Sequence, residues 1–153
     1  MVIRRAIVLA SCLMSMSCIA STQSWSDYIK LVVKADSATI QALPGKIKNL
    51  GDDLDDDQAV ELTTAISMAL VKKPVEVLSV TNQFKASADR LQQRFGTGLI
   101  CSLPLMINGT QTQVEAYYAD AVPALEKVGT PAADCLNNMR ATMDEFRQGN
   151  SAK

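Results

Sequence analysis

Residues 95–107 read Phe-Gly-Thr-Gly-Leu-Ile-Cys-Ser-Leu-Pro-Leu-Met-Ile, the most apolar run of the chain once residues 1–20 are set aside. The run carries Cys101, and the only other cysteine beyond residue 20 is Cys135, on the apolar face of the last predicted helix. We expect these two cysteines to form a disulfide that joins the run to this helix, with the remaining helices packed around the link. Within the run, residues 99–106 fit one helical turn and an extended segment equally.

The first 20 residues have the pattern of a secretory signal peptide. Arg4 and Arg5 precede an almost uncharged apolar stretch, residues 6–19, and small residues lie around Ala20. The stretch is shorter than the ~20 apolar residues that a membrane-spanning helix needs. We therefore predict cleavage after Ala20, which leaves residues 21–153 as an exported domain that is periplasmic or secreted.

A lipid anchor is the alternative for this N-terminus. Cys12 follows Leu9-Ala10-Ser11, which resembles the sequence before the acylated cysteine of bacterial lipoproteins, and Cys18 fits that pattern less well. The apolar segment ahead of Cys12 is short for a signal region, so cleavage without acylation is the favoured interpretation.

Either form of export favours a disulfide between Cys101 and Cys135, because disulfides form and persist in oxidising compartments. The link would close a loop of about 35 residues and stabilise the fold by roughly 3–4 kcal/mol. The alternative is a pair of unpaired, buried cysteines that act as small apolar residues.

Helical periodicity dominates the rest of the chain. Glycines and prolines are few for a protein built of many short strands, with seven and five in 153 residues. Apolar residues recur at three- and four-residue steps in six segments. These are residues 25–42, 56–72, 75–84, 86–95, 112–128 and 131–148. Residues 75–84 would also fit a strand, because several of them are β-branched, and we favour the helix. We predict an all-α fold, a single compact bundle of five to six helices stapled by one disulfide.

Local signals give the expected helix ends. Pro44-Gly45 should end the first helix, Asp55 or Asp56 should cap the second, and Gly96 should end the fourth. The Thr112–Glu115 pair has the spacing of a capping box, which predicts the start of the fifth helix. The second helix is apolar on more than one side, so we expect it to be central.

Charged clusters supply the candidate contacts with a partner. The aspartates of residues 52–57 do not form a calcium loop, because a loop that starts at Asp53 would have Gln58 in place of the required glycine and Thr64 in place of the glutamate. They suit the N-terminus of a helix instead. Arg90 and Arg94, four residues apart, fit a solvated helix face or an anion clamp. The candidate partner contacts are Asp52, Asp53, Asp55, Arg90 and Arg94.

Composition excludes several functions. The chain has no histidine, which removes Ser-His-Asp and Cys-His catalysis and histidine metal ligands. Loss of Arg4 and Arg5 would leave 13 basic against 16 acidic side chains, a net charge of −3, and no cluster of basic residues indicates nucleic-acid binding. We expect no cofactor, no metal and no enzymatic activity.

Two non-catalytic functions remain as hypotheses. The first is an exported binding protein with a protein partner in the cell envelope, such as an inhibitor or immunity protein that acts on a hydrolase or effector. The second is a carrier of an apolar small molecule or lipid within the bundle. The methionines beyond residue 20 suit either an adaptable apolar pocket or, as the stronger interpretation, the core. They are Met68, Met106, Met139 and Met143.

Overall fold

The computed structural model describes residues 23–50, 52–107 and 109–151. Within these ranges the chain forms eight α-helices, two short 3-10 helices and no strand. The α-helices are α1 (Trp25–Val33), α2 (Ser37–Leu50), α3 (Asp56–Lys72), α4 (Pro74–Thr81), α5 (Arg90–Gln93), α6 (Thr97–Met106), α7 (Gln111–Val128) and α8 (Ala133–Ser151). The all-α class and the disulfide are confirmed, and the predicted count of five to six helices is too low.

The predicted first helix is divided in two. Ala35 has a left-handed backbone with φ of 57°, and the N–H of Asp36 donates to the carbonyl of Leu31 at 3.1 Å, the bond that closes a Schellman motif. The Asp36 carboxylate then accepts from the N–H of Thr39 at 2.9 Å and caps α2. Pro44 lies inside α2, so the prediction that Pro44-Gly45 ends the helix is wrong.

The second correction is the region between α4 and α6. Asp89 caps α5 through the N–H of Leu91 at 2.8 Å, so this helix covers four residues rather than 86–95, and Leu91 is 44% exposed instead of inside. Gly96 does not end a helix but precedes α6 as its N-cap. The apolar run around Cys101, which fitted two conformations, is helical.

The predicted capping residue is correct for α3 and two residues too late for α7. Asp55 caps α3 in a capping box with Gln58, as predicted, and α3 has the predicted bounds. The box of α7 uses Thr110 and Gln113, two residues earlier than predicted, because Thr110 and Thr112 are both followed three residues later by a suitable partner.

Helix α3 is the centre of the fold, as expected. It packs against α1, α4, α6 and α7, and its inner face buries Leu62, Ile66 and Leu70. It is not buried all round, since Val60 and Met68 are 46% and 41% exposed. Each of these two side chains lines a groove on the surface.

The disulfide between Cys101 and Cys135 joins α6 to α8, with Cα atoms 5.4 Å apart. Both cysteines are buried, and α6 makes its most extensive contact with α8. Met139 and Met143 continue the same face of α8 into the core. The predicted core position of these two methionines is confirmed.

The predictions for the N-terminus fall outside the described residues. They are the signal peptide of residues 1–20, cleavage after Ala20 and acylation at Cys12 or Cys18. Among the helices of the described ranges, none combines the length and apolar character that a membrane span requires.

Gly96 should tolerate no side chain. A Cβ there would lie 3.0 Å from the carbonyl oxygen of Gln93 and 3.1 Å from that of Phe84, and both are backbone atoms. We expect Gly96→Ala to lower the free energy of unfolding by about 1–3 kcal/mol in urea titrations. Gly45→Ala is the control, because its Cβ would meet nothing within 4 Å and should add about 0.5–1 kcal/mol in the interior of α2. Equal stability of both variants would contradict this prediction.

Loss of the disulfide should be costly. The two cysteines are separated by 34 positions in the sequence, so the double variant Cys101→Ala/Cys135→Ala should lose about 3–4 kcal/mol of unfolding free energy. A reductant should lower the urea midpoint of the wild type and leave that of the double variant unchanged. A wild-type midpoint that does not respond to complete reduction would show that the link contributes nothing to stability.

Candidate functional site

An apolar groove of about 690 Å³ lies between α3, the end of α6 and α7. We call it the main groove. Its volume lies within the range of about 300–1,000 Å³ that is common for small-molecule sites. The lining residues are Thr64, Met68, Val71, Lys72, Pro104, Ile107, Gly109, Gln113, Val114, Ala116, Tyr117 and Asp120.

Hydrogen bonds at the back of the main groove hold its three walls together. The Tyr117 hydroxyl of α7 donates to the carbonyl of Ser67 on α3 at 3.2 Å. The Ser67 hydroxyl in turn lies 2.7 Å from the carbonyl oxygen of Ile100 on α6. These buried polar groups are satisfied by one another, which leaves apolar side chains to face the groove.

The chain between α6 and α7 shapes one end of the groove. Helix α6 ends at Met106, and Ile107 is extended with ψ of 156°. Gly109 follows in the lining, and Thr110 then starts α7 through its capping box. Pro104 contributes to the wall from inside α6.

Lys72 and Asp120 are the charged residues of the lining. The Lys72 ammonium donates to the carbonyl oxygen of Val33, the last residue of α1, at 2.6 Å. Tyr117 is the ionisable group at the floor, and burial raises the pKa of its hydroxyl above the usual value of 10. Tyr117 therefore stays neutral at physiological pH and serves as an apolar wall with one satisfied hydroxyl.

A smaller groove of about 200 Å³ lies between the first half of α3 and α6. Its lining residues are Asp56, Ala59, Val60, Thr63, Arg94, Leu99 and Leu103. An apolar floor is thus flanked by an acidic residue and a basic one. We call it the small groove.

The structure distributes the candidate partner contacts over two neighbouring segments. Asp52 and Asp53 are exposed in the turn before α3, and the Asp55 carboxylate accepts from the N–H of Gln58 at 2.7 Å. Arg90 is exposed at the start of α5, and Arg94 follows the end of this helix, half-buried. Of these five residues, Arg94 lines the small groove, and Asp56 of the acidic cluster is another of its lining residues.

A third depression of about 460 Å³ is polar and lies between the start of α6 and α8. The Asn138 amide donates to the carbonyl of Gly98 at 2.7 Å across it. Lys85 and Asp134 form an ion pair at its edge, which lowers the pKa of the Asp134 carboxyl below its usual value. Asn138, Lys85 and Asp134 are already engaged in these bonds, so this depression offers less to a ligand than the main groove. In the described ranges, no three His, Cys, Asp or Glu residues are grouped to hold a metal ion.

The main groove is not predicted from the sequence, because the apolar residues that line it have the same spacing as residues of the core. Met68 and Met106 are 41% and 63% exposed, so the core interpretation is wrong for these two methionines. Tyr117 is buried, yet it also lines the groove. The available signal was the apolar character of α3 on more than one side, which exceeds what a single buried face requires.

Comparison of the chain with protein-family models, with curated proteins and with solved structures gives no match. The class that the fold and site define is an all-helical domain with one disulfide and an open apolar groove. The geometry of the grooves is therefore the basis for the functional proposal.

Proposed function

We propose that this chain is an exported, non-catalytic binding protein that holds an elongated apolar small molecule in the main groove. The observation that carries the proposal is the groove itself, with its apolar lining and a volume of about 690 Å³. Burial of an apolar ligand there would release water from Met68, which is 41% exposed in the free protein. The disulfide is compatible with an oxidising compartment such as the periplasm.

A chain-length series of alkan-1-ols tests this function directly. Delipidated protein should bind these alcohols with an affinity that rises about fourfold for each added methylene, because each buried CH₂ contributes about 0.8 kcal/mol. The rise should stop when the chain fills the groove. Isothermal titration calorimetry on alcohols of eight to fourteen carbons gives the measurement, and an absence of binding across the series would refute the proposal.

Two matched variants locate the site. Met68→Gln places a polar group in the main groove and should weaken alcohol binding about fivefold, since it removes part of the apolar contact. Val60→Gln is the control on the same helix, at a similarly exposed position in the small groove. Alcohol binding that falls equally in both variants, or only in Val60→Gln, would place the ligand elsewhere.

The small groove favours a second candidate function, the inhibitor or immunity protein that binds a cell-envelope hydrolase or effector. The supporting observation is that the exposed Val60 lines the small groove together with Asp56 and Arg94, so that apolar surface and charges of both signs share one site. Such an arrangement suits a protein partner, because protein interfaces combine a small apolar centre with a charged rim. Asp52, Asp53, Asp55 and Arg90 are exposed in the segments that precede α3 and begin α5.

The second function predicts the reverse behaviour of the two variants. The immobilised chain should retain a stoichiometric cell-envelope hydrolase or effector from a periplasmic extract and reduce its activity. Val60→Gln should weaken this capture about fivefold, since it removes apolar contact at the centre of the interface, and Met68→Gln should not. A captured protein that is unaffected by Val60→Gln, or that keeps full activity, would exclude this function for the small groove.

A further inference from the structure

We propose that the ligand of the main groove is an amphiphile with an anionic head group, bound by the ammonium group of Lys72. This inference rests on the proposed function, because it names the class of molecule that the same groove accepts. The apolar lining alone determines neither the charge of the head group nor the end of the groove at which it binds.

The position of Lys72 is the first argument. Thr64, Met68 and Lys72 lie four residues apart on one face of α3, so the wall they form extends along about 12 Å of helix axis. Lys72 is the last residue of this helix and therefore lies at the end of that wall. An elongated ligand along α3 would thus have its tail against Met68 and its head at Lys72.

The hydrogen bond of Lys72 is the second argument. Its ammonium group donates to the carbonyl oxygen of Val33 at 2.6 Å, and Lys72 is also one of the lining residues of the groove. An ammonium group has three N–H donors, so this bond leaves two for a ligand. The partner is a neutral carbonyl, and none of the ion pairs among the described residues includes Lys72. The positive charge of Lys72 is therefore available to an anionic head group.

The opposite charge in the lining gives the alternative that the experiment must exclude. Asp120 on α7 would attract a cationic head group, but no hydrogen bond or ion pair with the described residues holds its carboxylate at the groove. The anchored ammonium needs less ordering when a ligand binds, which favours the anionic head. Charge-assisted hydrogen bonds to a carboxylate are also stronger than those to an alcohol.

The test compares three head groups on one chain: dodecanoate, dodecan-1-ol and dodecylamine, each below its micelle concentration. Dodecanoate should bind the wild type about fivefold more tightly than dodecan-1-ol, as expected for an ion pair at a partly exposed site. Lys72→Gln should remove this advantage and leave the affinity for dodecan-1-ol unchanged. Asp120→Asn is the matched control and should not weaken dodecanoate binding.

Other results would refute the anionic head group, the role of Lys72 or the proposed function. Equal binding of dodecanoate and dodecan-1-ol, or tighter binding of dodecylamine that Asp120→Asn abolishes, would refute the anionic head group while the groove remains a ligand site. Loss of both ligands in Lys72→Gln would show that Lys72 supports the fold through Val33 and does not bind the head group. Failure of all three compounds to bind the wild type would refute the proposed function itself.

Discussion

The covalent link between Cys101 and Cys135 is the constraint on which the fold depends, because α6 has little else that would make it helical on its own. It has ten residues, one of them Pro104, and isolated helices shorter than about 12–15 residues are marginal in water. No side chain caps its first turn. The disulfide fixes its middle to α8, and the buried Ile100 and Leu105 then pack it against the rest of the core.

The parts of the fold that the sequence predicts are those in which periodicity and capping agree. Helix α3 has a capping residue at Asp55, a long apolar repeat and a proline directly beyond its end, and its bounds are as expected. The break between α1 and α2 is not predicted, because two sequence features there favour different structures. The apolar repeat continues through Ala35, while the cap at Asp36 interrupts it, and the cap determines the backbone.

The candidate site could be predicted only in part, since it is formed by segments distant in sequence. The same side chain, Met68, would be core if α7 packed directly against it, but it lies in a groove lined by residues of α3, α6 and α7. The role of Lys72 is equally non-local, because its hydrogen bond depends on where α1 ends in space. The spacing to Arg90 singles out Arg94 in the sequence, yet only tertiary packing brings Arg94 and Asp56 into the lining of one groove.

Stability and binding meet in α6. Cys101 forms the disulfide with α8, and Pro104, three residues later, lines the main groove. The covalent link therefore fixes in place the helix that contributes Pro104 to the groove wall. A groove binds its ligand more tightly when its walls are already ordered in the free protein. Ordering the walls on binding would cost part of the free energy gained from apolar contact. A short helix that contains a proline is not well ordered by itself, but a disulfide that fixes it makes it a rigid wall of the groove. The disulfide that stabilises the fold therefore also supports the proposed site.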